Sequence, residues 1–258
     1  MAELDYKVKN ACQVVLSALE RSSDVPLIVN FSGGKDSAVL LDLVRSVTGR
    51  CICFSCVSGL EFPDVACMVQ RTADSLGVEL MWSYPDDYKG DFFQRLEQLK
   101  HFPTIISRWC SRDLKWRPQK KALTRRFGSH QFFKLNAVRR YESSRRNKIY
   151  QKQEFFRPDP DVSGDMMVYP IIDWTDEERD EYIRVNGLKV ETNPLYEKYS
   201  VSGCIWCPFY QAAIYKRILS FEPDMYDRFI EWEGKLCQPS VIGYVYLRDL
   251  KAERIKGG

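Results

Sequence analysis

The sequence predicts a doubly wound α/β fold with a mainly parallel sheet, followed by a small helical and irregular, cysteine-bearing C-terminal region. Three observations lead there. Short β-favouring runs alternate with helix-like runs over the first two thirds of the 258 residues, the pattern of βαβ units. The first such run, 26–31, ends in a glycine pair that opens directly into the apolar stretch 38–44. No long uncharged apolar run and no N-terminal signal pattern is present, so a cytoplasmic protein without a membrane span is expected. The length suits one large α/β domain, 1–188, with a smaller region, 189–258, packed on it.

The elements follow from local pattern. Val8, Cys12, Val15, Leu16 and Leu19 recur near helical spacing and predict an amphipathic helix over 6–21. Strands are expected at 26–31, 51–57, 78–82 and 131–138, with a helix running from Pro63 and Asp64 to about Leu76. The polar stretch 145–166, with Pro158 and Pro160, reads as a mobile loop. Thr175 and Glu178 have capping-box spacing and predict a helix over 176–186. Ligands of such sheets lie beyond the carboxyl ends of the strands, where Ser32 and Arg139 fall.

Apolar residues make up 45% of the chain, and the nine cysteines should be reduced, leaving core, metal-ligand or reactive-thiol roles. Cys12, Cys51, Cys53, Cys56 and Cys67 fall in expected helices or strands and read as core. The net charge of +3 hides an asymmetry. Residues 108–152 carry fifteen Lys or Arg against Asp113 and Glu142, an excess of +13, so the remainder sums to −10. Such a cluster is a footprint for polyanions, with a solvated loop-and-helix face as the bland alternative. His101 and His130 sit in no catalytic pattern, and the six tryptophans read as packing residues near element ends.

The chemistry concentrates at Ser32-Gly33-Gly34-Lys35-Asp36-Ser37. Strand, glycine turn and helix start form the context in which backbone N–H groups converge on a phosphate. Two glycines let backbone approach an anion without an intervening Cβ. Lys35 adds a mobile charge, Asp36 a carboxylate for magnesium, and the two serines hydroxyl groups. The Walker A and Gly-x-Gly-x-x-Gly spacings are absent. A second signal is Cys204-Ile205-Trp206-Cys207, which presents two thiols to one centre. Cys110 supplies a third candidate ligand and Cys237 a fourth; iron–sulfur, zinc, a redox dithiol and two buried cysteines all remain open at this point.

The glycine loop resembles that of the PP-loop ATP pyrophosphatases, which split ATP between its α and β phosphates. Four further segments resemble those of phosphoadenosine phosphosulfate reductases and their relatives: Ser58-Gly59-Leu60-Glu61-Phe62-Pro63-Asp64, Trp109-Cys110-Ser111-Arg112-Asp113-Leu114-Lys115, Arg139-Arg140-Tyr141-Glu142-Ser143-Ser144-Arg145-Arg146, and Tyr169-Pro170-Ile171-Ile172-Asp173-Trp174-Thr175. Together they span roughly residues 26–210 in the family's order. The resemblance implies an adenine nucleotide alpha hydrolase-like fold and an ATP site. Ser32, Gly33, Gly34, Lys35, Asp36 and Ser37 would hold the phosphates, and Ser58 and Gly59 would lie against the adenosine. Lys115, Arg139 and Arg146 would face the phosphate or sulfonucleotide group, with Lys35, Asp36, Arg139 and Arg146 as the catalytic set. For Arg139 and Arg146 the alternative is a surface ion pair, for instance with Glu142. The family often carries an acid before Ser58, where this chain has Val57, so that contact is missing or supplied elsewhere.

In relatives of the DNA phosphorothioation type, similarly placed cysteines hold a 4Fe–4S cluster; this makes Cys110, Cys204, Cys207 and Cys237 the expected ligands, with zinc as the alternative metal. The nearest resemblance is to the ATP-pyrophosphatase component of those systems. It implies ATP, Mg2+ and the cluster as cofactors, a cysteine desulfurase or other sulfur donor as partner, and a nucleic-acid acceptor, DNA ahead of tRNA. A homo-oligomer is compatible with the sequence. Two alternatives stand beside it. One is a sulfonucleotide reductase, against which stand the absence of a cysteine after Cys237 and of tandem Cys-Cys pairs. The other is a non-catalytic, metal-containing nucleic-acid-binding module, which leaves the glycine loop unexplained.

Overall fold

A computed structural model describes residues 2–22, 24–84, 89–152, 154–188, 198, 203–241 and 246–256. The chain divides into two compact units. The first comprises Met1–Cys56, Asp64–Ser83 and Gln119–Thr192; the second comprises Val57–Pro63, Tyr84–Pro118 and Asn193–Gly258. The division is therefore not the single cut at residue 188 expected from sequence. Two earlier segments, 57–63 and 84–118, belong with the C-terminal region. The expected start of that region, at 189, lies outside the described residues.

The first unit is built on a six-stranded sheet: β1 (Leu27–Asn30), β2 (Cys51–Cys56), β3 (Leu80–Ser83), β4 (Phe133–Leu135), β5 (Phe156–Pro158) and β6 (Met166–Val168). The strand order is β3-β2-β1-β4-β6-β5. Every pairing is parallel except β5 with β6. Ile28 is in register with both Ile52 and Lys134, so β1 is the central strand from which the order runs both ways. The crevice between β1 and β4 is thus the topological switch point, where sheets of this kind bind ligands. β1 and β2 are apolar on both faces, as a covered parallel sheet requires. Val25, Ile28, Ile52, Phe54, Ala122, Leu123 and Phe132 form one core cluster.

Helices α1 (Ala2–Arg21), α2 (Lys35–Val47), α3 (Val65–Leu76), α6 (Arg117–Phe127), α7 (Ser144–Tyr150) and α8 (Asp176–Val185) complete this unit, with α2 packed on α1 and α8. The capping box at α8 forms as expected: Thr175 Oγ1 accepts from the Glu178 amide at 3.2 Å, and Glu178 Oε2 accepts from the Thr175 amide at 2.8 Å. Cys51 and Cys53 of β2 are core, Cys56 is partly buried against it, and burial pushes the Cys53 thiol up to about 12. Cys67 is exposed on α3, contrary to its expected core placement, because it falls on the solvent side of that amphipathic helix.

The stretch 145–166 is not a loop. It contributes α7, edge strand β5 and the start of β6. Its polar residues carry a buried ion cluster that composition conceals. Lys134 of β4 is fully buried, with Nζ 3.0 Å from Asp159 Oδ2 and 2.7 Å from Asp165 Oδ2. Pro158 sits on the edge strand, where a missing N–H costs no ladder bond.

The second unit contains α4 (Phe92–Leu99), the short α5 (Trp109–Ser111), a π-helical turn (Arg112–Trp116), α9 (Ala212–Phe221), α10 (Pro223–Leu236) and α11 (Leu247–Lys256). Its core is aromatic. Phe92 stacks on Trp109 at 5.1 Å and meets Trp206 at 5.6 Å, and Trp206 lies parallel to Phe229 at 5.5 Å. These tryptophans are packing residues, in keeping with their sequence reading. Asp113, wholly buried on the π turn, gathers Arg95 at 2.7 Å, Arg112 at 2.7 Å and Arg117 at 3.7 Å. Burial alone would raise its carboxyl; hydrogen bonds from Arg112 and Arg95 outweigh that and hold it below the usual carboxylate range. Among the described residues no helix is long and apolar enough to cross a membrane.

Candidate nucleotide site and thiol cluster

In the first unit, the chain leaves β1 and turns through Gly33 into α2, whose N-cap is Gly34 without a side-chain cap. Gly33 has φ +78°, a conformation that side-chain-bearing residues rarely adopt, and this is what favours glycine; a Cβ there would meet the movable Met68 Cε at 2.5 Å. Ser37 braces the turn: its hydroxyl donates to the Gly34 carbonyl at 2.8 Å and accepts from the Ser32 amide at 3.3 Å. An uncapped helix start with a positive macrodipole remains at the switch point, the physical requirement for an anion site.

Arg139, from the chain after β4, reaches this loop. It is 1% exposed, and its Nε donates to Asp36 Oδ1 at 2.7 Å and its Nη2 to Asp176 Oδ1 at 2.7 Å. Glu142 accepts the Arg139 amide at 3.1 Å, and its carboxylate also pairs with Arg146. Arg146, expected at the phosphates, pairs with Glu142 one helical turn away, as in the ion-pair alternative. Sequence reasoning missed Asp176, Arg179 and Asp180 of α8. Arg179 Nη1 lies 3.2 Å from Asp36 Oδ1 and 2.6 Å from Asp176 Oδ1, while Asp180 lies 2.9 Å from Arg179 Nε and 3.7 Å from Lys35 Nζ. Hydrogen bonds from Arg139 to Asp176 and from Arg179 to Asp180 hold both carboxyls below their usual range. The capping box was a signal that α8 begins here, and an arginine on its first turn was the available clue.

Sequence reasoning also missed an amide chain at the strand ends. Gln119 Nε2 donates to Asn30 Oδ1 at 2.5 Å, Asn30 Nδ2 to Asn136 Oδ1 at 2.8 Å, and Asn136 Nδ2 to the Lys134 carbonyl at 2.8 Å.

The remaining expected nucleotide residues lie in the second unit and have other partners. Ser58 donates its amide (2.9 Å) and hydroxyl (2.5 Å) to Glu61 Oε1, and the Gly59 amide donates to Glu61 Oε2 at 3.0 Å. Both amides expected at the adenosine are thus turned onto a carboxylate of their own loop. Lys115 Nζ, expected at the phosphates, donates to Cys204 Sγ at 3.4 Å; the π turn aims it there.

The aromatic core brings the segments that carry three thiols into one unit. Trp109 precedes Cys110, Trp206 lies between Cys204 and Cys207, and both rings pack on Phe92. Tyr210 and Tyr215 donate to the Cys204 and Cys207 carbonyls at 2.8 and 2.5 Å and fix the turn. The thiols feel one another. Burial, then the neighbouring Cys204, raises Cys110; burial pushes Cys207 up to about 11. Cys237 is exposed at the C-cap of α10, in the left-handed conformation. The donor set suits a thiophilic metal in kind: three thiols, with the Trp206 indole N–H buried and making no hydrogen bond among the described residues. Spacing is another matter, since among the described residues no three Cys, His, Asp or Glu side chains converge as ligands of one ion.

About half of the cations in the basic segment are paired with acids. Arg112 and Arg117 pair with Asp113, Lys120 with Asp165, Arg126 with Glu79, Arg140 with Asp173 and Arg146 with Glu142; Lys134 and Arg139 are engaged as above. Part of the +13 excess is therefore met by acids from outside the segment, Glu79, Asp159, Asp165 and Asp173 among them.

Residues 26–210 match the phosphoadenosine phosphosulfate reductase domain, and the chain belongs to that family. Two uncharacterized proteins of Methanocaldococcus jannaschii, MJ0973 and MJ0066, are 27% and 26% identical over 82% and 90% of this chain. The alignments cover 48% and 46% of those proteins, so the chain spans about half the length of these relatives. Among solved structures, the phosphoadenylyl-sulfate reductase of Candida auris in its phosphate complex superposes with TM-score 0.54 at 15% identity, covering 79% of this chain and 95% of that one. The U34-tRNA thiolase NcsA of Methanococcus maripaludis, with its 4Fe–4S cluster, gives 0.52 at 15% identity over 96% and 80%. The NH3-dependent NAD synthetase of Campylobacter jejuni gives 0.50 at 13% identity over 99% and 96%. These likenesses establish the adenine nucleotide alpha hydrolase fold; the family and these neighbours are enzymes that work on ATP or other nucleotides.

Proposed function

We propose that the chain is an ATP pyrophosphatase that activates an acceptor for sulfur incorporation. The observation that carries this reading is the uncapped Gly33–Gly34 helix start at the switch point, ringed by Lys35, Arg139 and Arg179. An acceptor oxygen attacks the α phosphorus of ATP, the bond to the β,γ-phosphates breaks, and charge develops on departing pyrophosphate. Fixed cations and helix-terminal amides stabilise that charge. A sulfur nucleophile then displaces AMP from the activated acceptor. Asp36 is the carboxylate that would hold magnesium alongside the phosphates, where the ion would neutralise oxygen charge.

Cys110, Cys204 and Cys207 are the residues that would bind a 4Fe–4S cluster or carry sulfur, and Lys115 supplies a positive charge beside Cys204. A nucleic acid as acceptor, DNA ahead of tRNA as in DNA phosphorothioation, and a cysteine desulfurase as donor remain part of the proposal. The internal pairing of the basic segment lessens the electrostatic support for the former. Lys35→Ala and Asp36→Ala should each lower pyrophosphate release from ATP by at least about a hundredfold. Wild-type rates in both variants would refute the reading, and thioredoxin-dependent sulfite release in place of pyrophosphate would assign a sulfonucleotide reductase. Anaerobically purified protein should contain iron and acid-labile sulfide and absorb near the visible charge-transfer region of such clusters. Cys204→Ala with Cys207→Ala should abolish both signals; zinc alone in the wild type would exclude the cluster.

A further inference from the structure

We infer that Arg179 is a third phosphate-binding cation of the glycine loop, held in place by Asp176 and Asp180 until nucleotide phosphates exchange for them. The inference rests on the nucleotide-site reading above and deepens it. Asp36, Arg139, Asp176 and Arg179 form a closed ring of alternating charge: 2.7 Å from Asp36 to Arg139, 2.7 Å on to Asp176, 2.6 Å to Arg179, and 3.2 Å back to Asp36. Asp180 extends the ring by joining Arg179 Nε to Lys35 Nζ. The ring ties the first turn of α2, where the anion site lies, to the first turn of α8.

Its members differ in how cheaply they can be exchanged. Arg139 and Arg179 side chains are 2% and 12% exposed, so each needs an anion at all times. Asp176 and Asp180 are 60% and 50% exposed, so water compensates them readily when released. Both stay ionised at neutral pH, as their lowered carboxyls require. The exposed aspartates are therefore the exchangeable partners, and a phosphate group entering beside Lys35 finds two cations whose counter-ions leave at little cost. Arg179 suits this role because a guanidinium can keep one nitrogen on Asp36 while another turns to a phosphate oxygen.

The test is calorimetric binding of α,β-methylene-ATP and of adenosine to the full chain. Arg179→Met should weaken the ATP analogue by about ten- to a hundredfold and leave adenosine within twofold. Asp180→Asn should strengthen the analogue by about two- to fivefold, again without effect on adenosine. Arg179→Lys should recover part of the loss. Equal weakening of analogue and adenosine would mark Arg179 as merely structural and overturn the inference. So would analogue binding unchanged in both Arg179→Met and Asp180→Asn. A wild-type chain that binds neither ligand removes the nucleotide-site reading itself, and the inference with it; a wild type that binds while the variants are indifferent removes the inference alone.

Discussion

Replacing Arg139 with alanine should lower ATP turnover by about a hundred- to a thousandfold, the range seen when a fixed charge-stabilising donor is removed. Arg139 holds the site in three ways. It donates to Asp36 on the loop, to Asp176 on α8, and to the Trp174 carbonyl at 3.4 Å. Its guanidinium is almost wholly buried, so it depends on these partners for its solvation. The loss in stability should be smaller than the loss in activity, about 1–3 kcal/mol, because Asp36 and Asp176 are partly solvated and both keep Arg179 as partner. Arg139→Lys should recover little, since a single ammonium cannot reproduce a fork that engages two carboxylates and a carbonyl. Urea denaturation and pyrophosphate release on the same samples separate the two effects. A variant that keeps wild-type turnover while losing stability would make Arg139 a structural clamp only.

What could be read from sequence was what depends on neighbours in sequence. The glycine loop, four strands and the capped helix α8 each rest on runs of fewer than twenty residues, and all formed. The position of Arg139 beside the glycine loop was legible because a strand end and a motif coincide. Arg179 and Asp180 were not found because an acidic helix start reads as a solvated first turn favoured by the macrodipole. The partner that changes their meaning, Asp36, lies 143 residues from Arg179. Glu61 lies only two and three residues from Gly59 and Ser58, yet the residue types alone do not show that its carboxylate takes their amides. The charge of the basic segment is partly hidden from sequence for a similar reason: several counter-ions, Glu79, Asp165 and Asp173 among them, come from outside it. Charge counted along a chain overstates charge presented by a surface whenever the pairing is long-range.

Lys134 is the sharpest case of such pairing, and Lys134→Met should destabilise the protein by about 3–5 kcal/mol. A lysine in a short strand otherwise flanked by Phe133 and Leu135 is wholly buried, with two carboxylates on its ammonium. Those carboxylates are themselves enclosed. Asp159 Oδ1 accepts the amides of Asp161 and Val162, and Asp165 Oδ1 accepts Lys120 Nζ and the Phe132 amide. Removing the ammonium leaves two buried anions, of which Asp165 keeps the partly exposed Lys120, and a buried charge that has lost its counter-ion is the costly outcome, not the loss of the attraction itself. The remedy follows from the same physics. Lys134→Met combined with Asp159→Asn should recover much of the loss, because the amide can keep the hydrogen bonds of the turn without a charge to desolvate. The cost should also reach the nucleotide site, since β4 leads directly to Arg139. Saturating ATP should restore part of the variant's melting temperature by stabilising the folded state alone. Chemical denaturation of the single and double variants measures the first two effects, and a single variant within 1 kcal/mol of wild type would show that the cluster relaxes or hydrates when its cation is removed.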